Sequence, residues 1–515
     1  MDAVVSAYLA CRRRKRKTRN AQRYEIDLLD QLVNTVHALS ERTWRPSRTI
    51  AFVVRHPKAR EILAADFADR VVHHLLVPLL EHQFEPVFIH DCYSNRQGKG
   101  THAAVDRLQS FMARPDLGMT AHYLQLDVAN FFNSINRRRL FLLVQARLMR
   151  DQRRPVKDPR YLCPAHADDI LWLTRVLLTG NAAQNCITRG HPAEFARVPE
   201  HKRLINAPPE TGLPIGNLTS QFFANVYLNL LDQFVKHTLK CQYYVRYVDD
   251  MVLLHDDPSV LAGWREQIAQ FLAQHLDLGL RDAGRLQLIS NGIDFLGYVQ
   301  RPNYRLIRRR VVANLHSKLD HYERQIAPRQ GLHRQMNLPG VAITPDQLQT
   351  WQLPADPQPL FSTLASYLGH FGHASSHRLV ASLWRRYPWL AWVVRLNANG
   401  KLQSTRSARG VASMRGQWRY FRNRFAPAIV LMQVGKCLEV YGPHARLVAG
   451  LPHHGGKPVQ RPGWAATEAG LSWPMARLHR VTHKLSKQGL PWVYVAEQGW
   501  LKGGIKQRSL HTLHL

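Results

Sequence analysis

The chain has 515 residues, of which 45% are hydrophobic and 21% are charged. At roughly 150 residues per domain this length predicts about three domains, and the composition excludes an intrinsically disordered chain. Lysine and arginine number 70 against 37 acidic residues, so the formal net charge is +33. A charge of this size indicates a polyanionic partner, with nucleic acid as the first expectation and an anionic membrane surface as the second.

Other features argue against a secreted or membrane-spanning protein. The apolar runs are shorter than the ~18 residues that a transmembrane helix needs. An apolar stretch precedes the basic run 12–17, which reverses the order of a secretory signal. Six cysteines are too few for a disulfide scaffold and suit a reducing compartment. We therefore expect a cytoplasmic protein without a membrane partner. The basic run is a nuclear address, a nucleic-acid-binding arm or a solvated helix face.

The first 300 residues predict a helical lead followed by a catalytic body. Residues 1–50 are basic and helical in pattern, and residues 51–300 alternate short β-like runs with helical ones, which is typical of an α+β domain. Two apolar β-like runs flank Asp249 and Asp250, so we expect a hairpin with both aspartates at its turn. The elements predicted around this turn are helices at 218–235 and 261–276 and strands at 243–248 and 251–254.

The last 215 residues predict two further parts. Six prolines from Pro328 to Pro359 indicate a loop or insertion within the segment 301–396. Residues 397–415 are rich in Gly, Ser, Asn and Arg and predict a linker. Residues 416–515 then form a separate domain with 14 basic and three acidic residues, and its net charge of +11 predicts that it also binds a polyanion.

The acidic residues suggest a chemistry. Asp127 ends a β-like run, and the pair Asp249 and Asp250 follows more than a hundred residues later. Phosphoryl transfer to a nucleotide uses two divalent cations roughly 3.5–4 Å apart, and carboxylates on adjacent strands can bridge them. Neighbouring strand residues point to opposite faces, so Asp249 and Asp250 can both approach metal only if the backbone bends between them. Mg²⁺, with its preference for oxygen ligands, is the expected ion.

Several motifs in this order resemble those of reverse transcriptases. They are YVDD at 247–250, LDVANFF at 126–132, GLPIGNLTSQ at 212–221, the finger-like segments 58–62, 69–70 and 93–100, and a segment at 292–298 similar to the primer grip. The resemblance runs from about residue 50 to residue 300. It implies an α+β right-hand polymerase, with fingers, palm and thumb and an antiparallel palm sheet.

The resemblance also implies roles for single residues. Asp127 and Asp249 would bind two Mg²⁺ ions, with Asp250 as a weaker ligand and the carbonyl of Val128 completing one ion. Phe132 would be the steric gate that favours dNTPs over rNTPs. The other residues implied are Lys58, Arg60, Ile215, Gly216 and Gln221 for the nucleotide, Phe295, Leu296 and Gly297 for the primer grip, and Arg96 and Lys99 for nucleic acid. The family's lysine before the primer grip is replaced here, and Arg281 or Arg285 is its substitute.

Two finer resemblances narrow the expectation. Ile215 and Gln221 stand where related bacterial enzymes carry Gln and Pro, and the motif is similar to that of diversity-generating retroelements, which copy a template RNA with errors at adenines. Residues 362–379 resemble the thumb helix of that group. Residues 418–498 resemble the mismatch-recognition domain of the MutS family, with Glu439 kept but the aromatic wedge replaced by Cys437.

These resemblances imply particular partners. They are template RNA, the cDNA/RNA hybrid, dNTPs and a retroelement accessory protein. Two alternatives stay open at this point. One is a defence-associated or intron-type reverse transcriptase, and the other is a catalytically silent nucleic-acid-binding scaffold.

Overall fold

The computed structural model describes most of the chain as two compact units, Met1–Arg305 and Leu306–Leu515. The described residues are all except 56–57, 118–119, 158–160, 327–349, 354–357, 398–399, 406, 408–410, 412 and 502–504. Within them, no helix is long and apolar enough to cross a membrane. Both units combine helices with sheets whose strands are mainly antiparallel, in agreement with the predicted α+β class.

The elements of the first unit follow one another in mixed order. They are α1 Asp2–Arg12, α2 Arg19–Ile26, α3 Leu28–Ser40, β1 Thr49–Val54, β2 Arg60–Ala64, α4 Phe67–Phe84, α5 Thr101–Met112, β3 His122–Asp127, α6 Phe131–Ser134, α7 Arg137–Asp151, α8 Pro164–Thr179, β4 Cys186–Thr188, α9 Pro192–Phe195, α10 Leu218–Gln233, β5 Tyr243–Tyr247, β6 Asp250–His255, α11 Pro258–Leu276, β7 Arg285–Leu288, β8 Ile293–Phe295, β9 Tyr298–Gln300 and β10 Arg305–Ile307, which crosses the unit boundary.

A four-stranded antiparallel sheet with the order β5-β6-β3-β7 forms the centre of the described core of this unit. Helices α10 and α11 cover it, and they coincide with the two helices that the sequence predicted. Apolar side chains at helical spacing explain the packing, because Leu261, Ile268, Leu272 and Leu276 on α11 are all fully buried. Burial of this stripe fixes which face of α11 meets the sheet.

A smaller sheet and the N-terminal helices complete the first unit. Strand β1 pairs antiparallel with β2 and parallel with β4. The N-terminal helices pack against α4 through a cluster that includes Tyr8, Tyr24 and Phe67. Most of the segment 1–50 is therefore helical, although Thr49 and Ile50 already belong to β1, and the segment is part of the first compact unit.

The second unit contains a large mixed sheet. Its elements are α12 Arg309–Ile326, β11 Thr350–Gln352, α13 Gln358–Phe371, α14 His377–Arg386, α15 Leu390–Val393, β12 Val394–Leu396, β13 Leu402–Ser404, α16 Met414–Arg424, β14 Ile429–Val434, β15 Cys437–Tyr441, α17 Pro443–Ala449, β16 Lys457–Val459, β17 Gly470–Pro474, α18 Leu478–Lys487, β18 Trp492–Trp500 and β19 Lys506–His514. The sheet order is β11-β19-β18-β14-β15-β17-β16, and only the β14–β18 pair is parallel.

The structure divides this second half differently from the sequence prediction. Strand β11 lies in the Pro-rich region and pairs with β19 at the end of the chain, so residues on both sides of the predicted linker share one sheet. Part of the predicted linker forms β13, which pairs with β12. Most of the Pro-rich loop, at 327–349 and 354–357, lies outside the described residues. Sequence composition indicated loops here but carried no sign of pairing between strands so far apart in sequence.

Candidate active site

Three aspartates lie at neighbouring backbone positions at one end of the four-stranded sheet. Asp127 is the last residue of β3 and pairs with Asp250, the first residue of β6. Tyr247 of β5 pairs with the same Asp250, so Val248 and Asp249 form a two-residue hairpin turn. The hairpin predicted from sequence is confirmed, but only Asp249 lies in its turn, because Asp250 is already the first residue of β6.

The turn bends the backbone between the two neighbouring aspartates. Val248 has a φ of 56°, in the left-handed region that β-branched residues rarely adopt. A positive φ at the first turn residue alone matches a type II′ turn, which suits the twist of a hairpin. This bend releases Asp249 from strict strand alternation, so its side chain can face Asp127.

Like charges perturb the carboxylates of this site. Burial and the neighbouring Asp127 raise the pKa of Asp249 to about 7, against an opposing effect of Arg60. Burial likewise raises the pKa of Asp250 to about 7, although Gln125 opposes the shift by donating from Nε2 at 3.0 Å. Closely spaced carboxylates of this kind are stabilised by a nearby cation.

The donor set suits a hard divalent cation, although its carboxylates are not gathered into a formed metal centre. Among the described residues, no three His, Cys, Asp or Glu side chains converge in that way. The Asp250 carboxylate is held by Gln125, while Asp249 faces Asp127. Carboxylate oxygens are the ligands that Mg²⁺ prefers. Asp127 and Asp249 are therefore the residues best placed to hold an ion.

Arg281 is the nearest cationic partner of Asp127. Its guanidinium forms an ion pair with the Asp127 carboxylate, and its backbone N–H donates to the Asp127 carbonyl at 2.9 Å. Val128 and Leu280 form a short antiparallel β-bridge beside this ion pair. The next hydrogen bond of the bridge runs from the Ala129 N–H to the Gly279 carbonyl at 2.8 Å, so it does not involve the Val128 carbonyl. Of the two predicted lysine substitutes, Arg281 lies in the site, whereas Arg285 lies along β7 opposite Gln125.

The loop before α10 connects the predicted nucleotide-binding residues. The Leu213 N–H donates to the carbonyl of Phe132 at 2.8 Å, and the Leu63 N–H donates to the carbonyl of Ile215 at 2.9 Å. The loop thus bridges the half-buried Phe132 and strand β2. Gly216 has a φ of 118°, and a Cβ there would approach the Ile62 side chain to 2.8 Å, so the close contact requires glycine.

The remaining predicted nucleotide residues lie on β2 and α10. Arg60 is the exposed first residue of β2 and is close enough to lower the pKa of Asp249. Lys58 is also exposed, two residues earlier in the chain. Gln221 is half-buried in the first turn of α10. Arg60 is therefore close to the carboxylates. Phe132 in α6 and Ile215 are connected through the loop before α10, because Leu213 of that loop bonds to the Phe132 carbonyl.

The predicted primer-grip residues form a tight hairpin. Phe295 is fully buried at the end of β8, and Leu296 and Gly297 form the two-residue turn to β9 with φ values of 51° and 91°. Positive φ at both positions is the pattern of a type I′ turn. Gln125 donates both to the carbonyl of Asp294 at 3.1 Å and to Asp250, so this hairpin is tied to the carboxylates.

Comparison with known families identifies the segment that carries this site. Residues 55–299 match the family described as reverse transcriptase (RNA-dependent DNA polymerase). The chain contains a reverse transcriptase domain. The match covers slightly less than half of the chain and includes all three aspartates. No curated protein shows a significant match to the chain.

Solved structures of telomerase show a weaker likeness. Apo telomerase from Candida tropicalis, truncated from its C-terminal domain, has a TM-score of 0.37 and 12% identity over 51% of this chain and 55% of its own. Telomerase from Candida albicans in complex with a TWJ fragment of telomeric RNA has a TM-score of 0.36 and 9% identity over 59% and 56% of the two chains. The chain spans about half the length of these proteins. TM-scores this low do not establish a shared overall fold.

Two residues of the reverse transcriptase domain that the sequence assigned to nucleic acid are engaged within the protein. The side chain of Arg96 is 7% exposed and donates to Glu85 at 2.9 Å and to the carbonyls of Ile89 and Cys92. Lys99 donates to the carbonyl of His90 and lies 4.9 Å from the centre of the Tyr93 ring. Their contact with nucleic acid stays a prediction, which the placement of Arg96 does not favour.

Glu439, which the sequence assigned to nucleic acid, is buried and bound within the protein. Its residue exposure is 2%, and it accepts hydrogen bonds from Tyr441 and Arg461 inside the seven-stranded sheet. Alternation along β15 directs Leu438 and Val440 into the apolar core and places Glu439 on the opposite face of the strand, on the same face as Tyr441. The contact of Glu439 with nucleic acid stays a prediction, which its burial and its protein partners do not favour.

Sequence reasoning missed the polar residues that support the carboxylates. Gln125 holds Asp250, and Arg246 and Asp232 form a fully buried ion pair next to the hairpin turn. A signal was present for the ion pair, because Arg246 lies in an apolar strand and Asp232 in an apolar helix. A charge in each of two elements that must bury their surfaces predicts a paired partner.

Proposed function

We propose that the chain is an RNA-directed DNA polymerase that synthesises cDNA on a template RNA by two-metal phosphoryl transfer. The observation that carries this proposal is the β3–β6 register, which sets Asp127 opposite Asp250 and next to Asp249 within the reverse transcriptase domain. A catalytically silent scaffold would not explain why buried carboxylates with raised pKa values lie together here, since such groups are typical of functional sites.

The residues of the chain divide the catalytic work among them. Asp127 and Asp249 would hold Mg²⁺, with Asp250 as a weaker ligand. When bound, the ions would activate the attacking hydroxyl and neutralise the leaving phosphates. Arg60, whose charge acts on Asp249, would bind the triphosphate. The ring of Phe132 would occupy the space of a ribose 2′-hydroxyl, and the loop to Leu213 would hold this ring in position.

DNA synthesis by the purified full chain tests the proposal. The assay uses an RNA template, a DNA primer, dNTPs and Mg²⁺, with the predicted accessory protein added in a parallel reaction. Asp127→Asn should abolish incorporation while RNA binding is retained. Asp256→Asn is the matched control, because Asp256 is exposed and follows β6 at its other end. Undiminished synthesis by Asp127→Asn would exclude the proposed site.

We further propose that the enzyme belongs to a diversity-generating retroelement. Ile215 supports this assignment, because an apolar side chain replaces an amide that could hydrogen-bond near the nascent base pair. An intron-type or defence-associated enzyme would need no such replacement. An imperfect template repeat and a variable target gene beside the coding sequence would distinguish the first possibility from the other two.

The second unit supports a role in binding RNA or the cDNA/RNA hybrid. All three acidic residues of 416–515 form ion pairs, namely Glu439 with Arg461, Glu468 with Arg415 and Arg419, and Glu497 with Lys506 and Arg508. Their side chains are at most 10% exposed, so the surface of this region carries basic groups without exposed carboxylates. Such a surface favours contact with phosphates. The buried Glu439 argues against mismatch reading.

A further inference from the structure

A buried ion pair lies directly behind the turn that carries Asp249. Arg246 on β5 and Asp232 on α10 both have fully buried side chains. The Arg246 Nε donates to Asp232 Oδ1 at 2.7 Å, and its Nη2 donates to Oδ2 at 2.6 Å. These two parallel bonds match the fork geometry of a guanidinium on a carboxylate, which fixes the orientation of the guanidinium plane.

The third nitrogen of Arg246 is directed at the turn itself. Its Nη1 donates to the carbonyl of Val248 at 2.8 Å. On the other side, the Val248 N–H donates to Ser94 Oγ at 3.1 Å. Both backbone polar groups of Val248 are therefore bound by side chains. Because Val248 adopts the unfavourable left-handed conformation, these bonds stabilise a turn that valine would not adopt readily by itself.

Asn225 links the two supports into one network. Its Oδ1 accepts from Arg246 Nη1 at 3.3 Å and from Ser94 Oγ at 3.1 Å, and its Nδ2 donates to the Ser94 carbonyl at 2.7 Å. Asn225 and Asp232 are seven residues apart, so they lie on one face of α10 two turns apart. Helix α10 thus provides a rigid base for the hairpin.

We propose that Arg246, oriented by Asp232, is a positioning residue that fixes the Val248–Asp249 turn and so determines where the Asp249 carboxylate lies for metal binding and catalysis. The inference rests on the proposed polymerase function. A buried ion pair contributes little net stability compared with an apolar pair of similar size, so stability alone does not explain why charges occur here. The hydrogen bond from Arg246 to the Val248 carbonyl connects the ion pair to the turn that carries Asp249.

Arg246→Lys tests this role because it keeps the positive charge but has one nitrogen in place of three. It therefore cannot bind both Asp232 oxygens in a planar fork and the Val248 carbonyl at the same time. We expect kcat to fall about 10²-fold, the cost of a small misplacement of a reacting group, while KM for dNTP changes by less than about threefold. The Mg²⁺ concentration for half-maximal activity should rise about tenfold. A second readout needs no turnover: Mg²⁺ and Mn²⁺ should raise the thermal unfolding midpoint of the variant less than that of the parent protein.

A matched control separates positioning from stability. Asp151→Asn disturbs another fully buried aspartate, the last residue of α7, which forms ion pairs with Arg147 at 3.0 Å and with Arg154, beyond the helix end, at 2.7 Å. This variant should lose stability but keep the metal dependence of the parent. If Arg246→Lys shows only the behaviour of Asp151→Asn, the pair serves the fold alone and the inference is wrong.

Ser94→Ala provides a milder variant that leaves the ion pair intact. It removes the acceptor of the Val248 N–H, and we expect the same shift in metal dependence with a smaller fall in kcat. Parent-like metal dependence in Ser94→Ala would overturn the inference even if Arg246→Lys did not fold. If the unsubstituted chain itself synthesises no DNA, the proposed function fails. If the unsubstituted chain is active and both variants match it, only the positioning role fails.

Discussion

At one end of the four-stranded sheet three aspartates lie close together, whereas in residues 416–515 each acidic residue is paired with a basic one. Asp249 and Asp250 have their pKa values raised to about 7, mainly by burial. At Glu468, burial acts in the same direction, but Arg415 and Arg419 outweigh it and lower the pKa to about 2. The carboxylates of the first site would therefore be stabilised by a cation in addition to Arg281, whereas those of residues 416–515 are already paired within the protein.

The two arrangements of carboxylates, clustered and ion-paired, are suited to different interactions with a nucleic acid. Clustered carboxylates disfavour folding unless a cation joins them, so their presence indicates a chemical task. Pairing all the carboxylates of the second region leaves its remaining basic groups available for phosphates. The opposite partnering of the carboxylates supports the proposals of catalysis at the first site and of phosphate binding by residues 416–515.

The sharpest test of the comparison is a separation of Asp249 from Asp250. Asp249 lies in the turn facing Asp127, whereas Asp250 is held by Gln125. We expect Asp249→Asn to lower kcat by about 10³-fold or more and Asp250→Asn by about 10²-fold, measured by primer extension on RNA. Equal losses would show that both carboxylates contribute in the same way. Near-normal rates in both variants would remove the catalytic assignment from this turn.

Those features of the site that depend on residues close together in the sequence could be predicted from the sequence. Two β-like runs around Asp249 and Asp250 predicted the hairpin, and periodic apolar residues predicted α10 and α11, because these features depend on neighbours in the chain. The ties made by Arg246, Gln125 and Ser94 join distant segments, which no local period encodes. For Glu439, a short resemblance supplied a residue but not its burial or its bonds to Tyr441 and Arg461.

Glu439→Ala tests the claim that the acids of the second region are structural. The substitution leaves Tyr441 and Arg461 without their buried acceptor, and we expect a loss of roughly 3 kcal/mol in unfolding free energy. Denaturant unfolding followed by tryptophan fluorescence measures the loss, with the exposed Leu447→Ala as control. Binding of matched and mismatched duplexes should remain equal to each other. A mismatch preference that disappears in this variant would contradict the structural role.

Helix α18 offers a test of phosphate binding by the second region. Arg480 and Lys487 are exposed on this helix, about two turns apart. Replacing both with Gln should weaken RNA binding about tenfold and lower the slope of log affinity against log salt by about 0.7–0.9 for each phosphate that is no longer neutralised. Gln488→Ala, at the end of the same helix, controls for helix damage. An unchanged slope would show that the RNA lies on another face.

Ile215 gives the smallest expected effect and the one that bears on the type of reverse transcriptase. Its carbonyl is fixed by the Leu63 N–H, so a substitution changes the half-buried side chain while the loop keeps its course. Gln at this position could hydrogen-bond near the nascent base pair, and we expect Ile215→Gln to reduce errors opposite template adenine about fivefold. Ile215→Leu remains apolar and should keep the parent error spectrum. The measurement is the sequencing of cDNA that the parent enzyme and the two variants make from one RNA. Identical error spectra for Ile215→Gln and Ile215→Leu would show that a polar contact at residue 215 does not determine fidelity.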